Sequence, residues 1–385
     1  MESPILLILA MAVLAYGLAA RRLRAMSLTA PIVFTALGLL LGSAVLDMVE
    51  VDIASHQIAL LAELTLVLVL FADAAGIDLR LLHADQAVPA RMLLIGLPLA
   101  VLLGTVAGWL FLPDIGIWPL ALLATMLAPT DAALARSVLI DDRLPQRVRQ
   151  SLNAESGLND GLALPLVFVF LALTGAGMPG DGGTIEHPLQ HWTGFFAAQI
   201  GLGALVGIGA GAISGRLVEH AVRIEAMDKV FERLSAVALA LIAYVGASLI
   251  GGNGFIAAFT GGMAFGHFTR RARRPVIGFG ETEGQLLALA TFVVFGANLL
   301  PQAVEVLDWR SAAYALVSLF LVRPLAIWIS LAGTGLLGAT KLFFGWFGPR
   351  GLASIVFALI AESALGREAA APLIAVVALT VGLSV

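Results

Sequence analysis

Leu-Ala-Pro-Thr-Asp-Ala-Ala-Leu (127–134) and Glu-Ser-Gly-Leu-Asn-Asp-Gly-Leu-Ala-Leu-Pro-Leu (155–166) both carry acids inside long apolar runs. Asp131 and Asp160 are flanked by enough apolar sequence to lie near the middle of a bilayer. A charge at that depth costs at least about 2.5–3.5 kcal/mol, and residues that bear it mark ion or proton paths by default. The reading that follows is an all-helical chain that moves ions, rather than one that merely anchors something.

The rest of the chain agrees. Of its 385 residues 60% are hydrophobic and 12% charged, whereas a soluble domain is about 25% charged. The net charge of −4, carried mostly by loops, identifies no partner. Cysteine is absent, which excludes a disulfide framework and a thiolate metal centre. There is no Walker-type loop, and the Gly-x-Gly at 201–203 reads as helix packing. The first residues lack a basic n-region and a small-residue cleavage site, so they read as a first span rather than a cleaved signal.

A helix needs about 20 apolar residues to cross the hydrocarbon core. Segments of that kind fall at 4–20, 27–46, 57–76, 89–112, 116–138, 151–174, 192–215, 234–250, 253–268, 283–300, 311–334, 341–364 and 369–385. The expected architecture is therefore an all-α polytopic membrane protein of about thirteen transmembrane helices, a single transporter unit over 1–385 with no soluble domain. With the N-terminus outside, most of the 22 basic residues fall in inner loops, among them Arg21, Arg22, Arg24, Arg143, Arg147, Arg149, Arg216, Arg223 and Arg270 to Arg274. Asp47, Glu50, Asp52, Asp114, Asp181 and Glu186 then fall outside. The positive-inside rule thus places the chain in a cell membrane, N-terminus outside and C-terminus cytoplasmic.

Two segments are interrupted by Pro or Gly beside a charge: Ala128-Pro129-Thr130-Asp131, and Trp346-Phe347-Gly348-Pro349-Arg350-Gly351. Their separation of roughly half the chain is what inverted repeats with two discontinuous helices produce. A broken helix frees N–H groups that an acid such as Asp131 neutralises, and carbonyls that a cation such as Arg350 offsets. Asp131 reads as a cap on such a break or as a direct ligand, and both readings stay open.

Asp160 lies about nine residues into its helix, roughly 14 Å at 1.5 Å per residue, close to the midplane of a core about 30 Å thick. Ser156 and Asp160 are i,i+4 and share a face. A hydroxyl and a carboxylate are the oxygen ligands that small hard cations take. A carboxylate in low dielectric holds a proton more tightly, so one group can carry a proton at one moment and a cation at another. Histidine is confined to loops and span ends, which leaves Asp or Glu to carry protons. Glu155 and Asn159 form the adjacent face, and Arg323 requires a buried acid, for which Glu155 is the candidate. Asp73, near the inner end of the third span, reads as lining the entrance or as a solvated residue.

These motifs resemble the cation:proton antiporter-1 family of NhaP-type and animal sodium/proton exchangers. Glu155-Ser156-x-x-Asn159-Asp160 is the most specific part. Ala128-Pro129-Thr130-Asp131, Arg323-Pro324 and Gly348-Pro349-Arg350-Gly351 complete it, and the likeness runs from Leu70 through Gly351. The resemblance implies an NhaA-like antiporter fold. A core around 89–174 and 283–364 would move against dimerisation helices drawn from the remaining spans. It implies a homodimer in lipid, with no cofactor, nucleic acid or evident soluble partner. It makes Asp160 the ion- and proton-binding carboxylate, and Ser156, Thr130 and Asn159 its neighbours in the site. Na⁺ would sit at Asp160, Ser156 and Thr130. Asp131 and Arg350 would stabilise the crossed breaks, and Glu155 would pair with Arg323. Asn159 holds a position that is a second Asp in electrogenic relatives, so Asn-Asp implies electroneutral 1:1 exchange of Na⁺ (or Li⁺) for H⁺ in pH homeostasis.

A K⁺/H⁺ antiporter of the same fold is the alternative within that class. Outside it stands an intramembrane aspartyl protease, for which Gly157-Leu158-Asn159-Asp160 is a near miss of Gly-x-Gly-Asp. The Arg residues and two helix breaks are unnecessary for proteolysis. A potassium channel would need a filter such as Thr-Val-Gly-Tyr-Gly, which the sequence lacks.

Overall fold

The computed structural model describes residues 2–26, 28–42, 45–46, 56–77, 87–131, 144–175, 189–270 and 272–384. Among these residues the secondary structure is entirely helical. In chain order the helices are α1 (Glu2–Ala25), α2 (Ala30–Leu41), α3 (His56–Gly76), α4 (Ala87–Phe111), α5 (Ile117–Met126), α6 (Gln146–Leu173) and α7 (Leu189–Arg223). There follow α8 (Lys229–Ser248), α9 (Gly254–Phe268), α10 (Arg273–Val306), α11 (Trp309–Ser330), α12 (Gly338–Trp346), α13 (Leu352–Leu365) and α14 (Arg367–Ser384).

Each apolar segment of the sequence meets a helix, but not every one is a full-length span. Among the described residues seven helices are long and apolar enough to cross a membrane alone: α4, α6, α7 from Ala198, α8, α10, α11 and α14. The apolar helices α2, α5 and α13 are shorter. The twelfth expected span is two half-helices, α12 and α13, with non-helical backbone at 347–351. The fifth leaves the helix after Met126, and its continuation at 132–138 lies outside the described residues. So do the acidic stretch 47–55, the segment 78–86 and the loop 176–188. The tenth is longer than expected, because α10 begins at Arg273 and runs through Gly280–Gly284 as a π turn.

Four π turns interrupt the long helices, at Met92–Gly96 in α4, Gly280–Gly284 and Phe295–Leu299 in α10, and Ser318–Val322 in α11. Three have a local cause. Pro98, Pro301 and Pro324 each stand four residues after the middle residue of a π turn, Leu94, Ala297 and Phe320. A proline has no N–H to return to the carbonyl four residues back, and its ring crowds that carbonyl. The helix widens by one residue there instead of breaking.

Close backbone approach organises the helices around α9. Side chains added at Gly207 or Gly211 of α7 would overlap the carbonyl oxygens of Ala257 or Gly261 in α9. On the other face of α9, additions at Gly262 and Gly266 would overlap the carbonyls of Phe71 and Ala75 in α3. Helices in lipid gain little from hydrophobic exclusion, so small residues that permit van der Waals contact between backbones take its place. Arg273 ties α10 to the end of α3, donating from Nε to Ala75 O at 3.0 Å and from Nη2 to Gly76 O at 2.7 Å. Beside this scaffold α4, α5, α6, α11, α13 and α14 pack around the two helix breaks.

Candidate cation and proton site

The two breaks cross. After α5 the chain is non-helical through Ala128–Asp131, and the Asp131 N–H donates to Pro349 O at 2.8 Å. Asp131 Oδ2 accepts from the Leu352 N–H at 3.1 Å, at the first residue of α13. Arg350, 2% exposed, donates from Nη1 to Ala128 O at 2.8 Å and to Pro129 O at 3.0 Å. The anion of one break therefore serves the free N–H end of the other helix. The cation of the second serves the free carbonyl end of the first, which is the arrangement the helix dipoles favour. Gly351 is required at the crossing, because a Cβ there would overlap the Asp131 carboxylate.

Beneath the crossing, α6 presents its polar turn. Glu155 and Arg323 form a bidentate pair, Nη1 to Oε1 and Nη2 to Oε2, both at 3.1 Å. Their side chains are only 4% and 5% exposed. The Ser156 hydroxyl donates to Thr130 O at 2.5 Å. The Asn159 amide donates to Thr130 Oγ1 at 2.7 Å and to Glu155 Oε1 at 3.3 Å. Thr130 Oγ1 lies 3.4 Å from Glu155 Oε2 and 3.5 Å from Ser156 Oγ. Gly348 packs against Thr130 Cγ2 and the Arg323 guanidinium, so the second break also closes over this network.

Asp160 stands apart from that web. It is partly exposed, but its Oδ1 is buried and finds no hydrogen-bond partner in the protein. The carboxylates of Asp131, Asp73 and Glu155 lie close enough to act on it electrostatically. Glu155 is balanced by Arg323, and Asp131 by the α13 N-terminus. Of these acids, Asp160 is the one with a buried oxygen that no protein group meets. Ser156, one turn away, keeps lone pairs available because its hydroxyl proton points to Thr130 O. Cation binding and proton binding at one carboxylate exclude each other.

The structure brings together Asp160, Ser156, Thr130, Asn159, Asp131, Arg350, Glu155 and Arg323. Asp73 is exposed on the last turn of α3 and reaches Asp160 through its charge. Asn159 is more closely engaged than the spacing suggested, since its amide joins Thr130 to Glu155. Two contributors escaped the sequence reading. Ser384 Oγ accepts from the Arg350 N–H at 2.7 Å, so the end of α14 holds the second break. Tyr314 of α11 is fully buried beside Arg350. No local signal distinguishes either from a packing residue.

Two crossed helix breaks, stabilised by an acid and a base beside the partly exposed Asp160, define a fold of discontinuous crossing membrane helices. The sequence profile of the sodium/hydrogen exchanger transmembrane region matches residues 7–385, and the chain belongs to that family. It is a multi-pass membrane protein. The fold is that of the sodium proton antiporter MjNhaP1 from Methanocaldococcus jannaschii, solved at pH 8. The two superpose with a TM-score of 0.81 at 22% identity, over 100% of this chain and 98% of that one. The K(+)/H(+) antiporter NhaP2 of Shewanella oneidensis is 27% identical over 260 residues, 66% of this chain and 43% of that protein. The Na(+)/H(+) antiporter 2 of Zygosaccharomyces rouxii is 29% identical over 277 residues, 67% of this chain and 33% of that protein. The chain thus spans less than half the length of these curated relatives.

Proposed function

We propose that the protein is a secondary antiporter exchanging one monovalent cation, Na⁺ or Li⁺, for one proton at Asp160, without net charge movement. The carrying observation is that Asp160 alone among the clustered acids has a buried oxygen without a protein partner, while Glu155 and Asp131 are compensated. Ser156 and Thr130 complete an oxygen ligand set suited to a hard cation. Asn159 supplies a neutral amide where a second carboxylate would add a second charge. Asp131 and Arg350 hold the crossing, Glu155 and Arg323 hold α6 against α11, and Asp73 stands at the entrance.

In this reading α4–α6 and α10–α13 form the moving core and the other helices a scaffold through which two copies pair. The chain sits in the cell membrane with its N-terminus outside. K⁺ in place of Na⁺ is the second reading, favoured by the name of the Shewanella relative; the ligand types are the same for both ions.

The test is proton flux in proteoliposomes under an imposed pH gradient, with NaCl, LiCl or KCl added in turn and the membrane potential free or clamped. Wild type should show cation-dependent flux that is indifferent to voltage, and Asp160→Asn should abolish it. Absence of flux with every cation from a folded protein would refute antiport.

A further inference from the structure

Away from the crossing, a cavity of about 280 Å³ opens between α6 and α13 on one side and α3, α7, α8 and α9 on the other. Glu63, Gln199, Ser248 and Ser363 line it, and the rings of Phe168 and Phe255 form part of its wall. A water occupies about 30 Å³ in the liquid, so the space suits a cation with several waters. Its electrostatics favour a positive guest. The C-terminal turn of α13, at Ser363, brings the negative end of a helix to it, whereas the last carbonyls of α8 already accept from the N–H groups of Leu249, Ile250, Gly251 and Gly252. The N-terminus of α9 also borders it, but its first donors are occupied: the Asn253 side chain accepts from the N–H groups of Phe255 and Ile256 at 3.0 and 3.1 Å. Glu63 adds the one carboxylate of the lining.

The cavity is separated from Asp160 by aromatic packing along α6. Phe259 lies directly on Gly161, next to Asp160, where any added Cβ would sit 2.7 Å from the ring. Phe255, one turn earlier on α9, stacks on Phe168 at 6.3 Å between centroids. Phe168 is about 12 Å further along α6 than Asp160 at 1.5 Å per residue. All three rings are buried.

We propose that this cavity is a second, waiting site for a hydrated monovalent cation on the face where α8 joins α9. Glu63 is its charge-selecting residue, and Phe168, Phe255 and Phe259 are the barrier between it and Asp160. The inference rests on the antiport reading for its role in transport, but its electrostatics stand independently. On the orientation proposed above, the face is the outer one.

The chain has no cysteine, so Ser248→Cys and Ser363→Cys each give a single-thiol protein. Impermeant methanethiosulfonates, one cationic and one anionic, would be added to right-side-out and inside-out vesicles, with rates normalised to a free thiol. Both thiols should react from one side only, with the cationic reagent favoured about 10-fold, the lower end of the effect of a charged cleft on encounter rates. Adding Glu63→Gln should remove the preference, and Glu63→Asp should retain it. In flux assays Glu63→Gln should raise the apparent KM for cation supplied on that side and leave it unchanged on the other. Labelling from neither side, from both, or without charge preference would overturn the proposal. A charge-selective cavity in a protein that catalyses no flux would overturn the transport role alone and locate the failure in the antiport reading.

Discussion

Replacing Arg323 by Met tests whether the polar web under the crossing is a structural unit. The guanidinium makes two 3.1 Å contacts with Glu155, and both side chains are at most 5% exposed. Met matches much of the Arg volume but leaves Glu155 buried and uncompensated. Removing one partner of a buried pair costs about 3–5 kcal/mol, whereas replacing both by apolar groups of similar volume is often neutral. The double variant Glu155→Leu, Arg323→Met also removes the 3.3 Å acceptor of the Asn159 amide and the 3.4 Å acceptor of the Thr130 hydroxyl. The amide keeps its 2.7 Å bond to Thr130, so the residual loss should be about 2 kcal/mol, the net worth of two hydrogen bonds. Thermal denaturation in detergent, followed by loss of monodisperse protein on size exclusion, should rank wild type above the double variant and Arg323→Met below both. A double variant no more stable than the single one would refute the argument. It would mean that Arg323 acts through its packing against Gly348 rather than through Glu155.

Three further outcomes follow from other parts of the molecule. Asn159→Asp places a second carboxylate where the amide now donates to Glu155 Oε1 at 3.3 Å, and should make flux respond to membrane potential; voltage-indifferent flux from a folded variant would count against the assigned role of Asn159. Gly262→Val should abolish folded yield in detergent, because even a Cβ overlaps the Phe71 carbonyl in α3, whereas Gly201→Ala, with nothing within 4 Å, should express normally. Asp308, the N-cap of α11 outside the membrane, accepts from the Ser311 N–H at 2.7 Å, and the hydrogen bonds from Ser311 hold its carboxyl below the ordinary 3.8. A depressed folded-state value means that this contribution is fully present above pH 3.8 and is lost as pH falls through the lowered value. Asp308→Ala should lower stability by about 0.5–2 kcal/mol at neutral pH, and by less in acid, as read by thermal denaturation at the two pH values.

Much of the fold was legible in the sequence because its causes are local. Apolar length marks each helical segment, and Pro129 and Gly348-Pro349 mark the two breaks. The three proline-linked π turns follow from Pro98, Pro301 and Pro324, a relation visible in the sequence once the missing N–H is considered. The count along the helix of Asp160 was short, because α6 begins at Gln146 rather than near Ser151 and sets Asp160 near the middle of its 28 residues, about 21 Å from its start at 1.5 Å per residue. That seven of the described helices are long and apolar enough to cross a membrane alone while α2, α5 and α13 are shorter was not legible, since a half-helix and a short helix have the same composition as part of a long one.

What the sequence by itself determined is where charge is forced into lipid and where a helix must break, because burial cost and missing backbone donors depend on near neighbours. Only the tertiary structure decided which groups meet. Arg350 reaches Ala128 across 222 residues, Leu352 reaches Asp131 across 221, and Arg323 reaches Glu155 across 168. Each break is capped by the other, Ser384 holds one of them, and Asn159 serves Thr130 and Glu155 through its amide. The cavity beside Glu63 exists only because α3, α7, α8 and α9 come to lie against α6 and α13. Partners of this kind are chosen by the packing of separate helices, to which no short window of the chain has access.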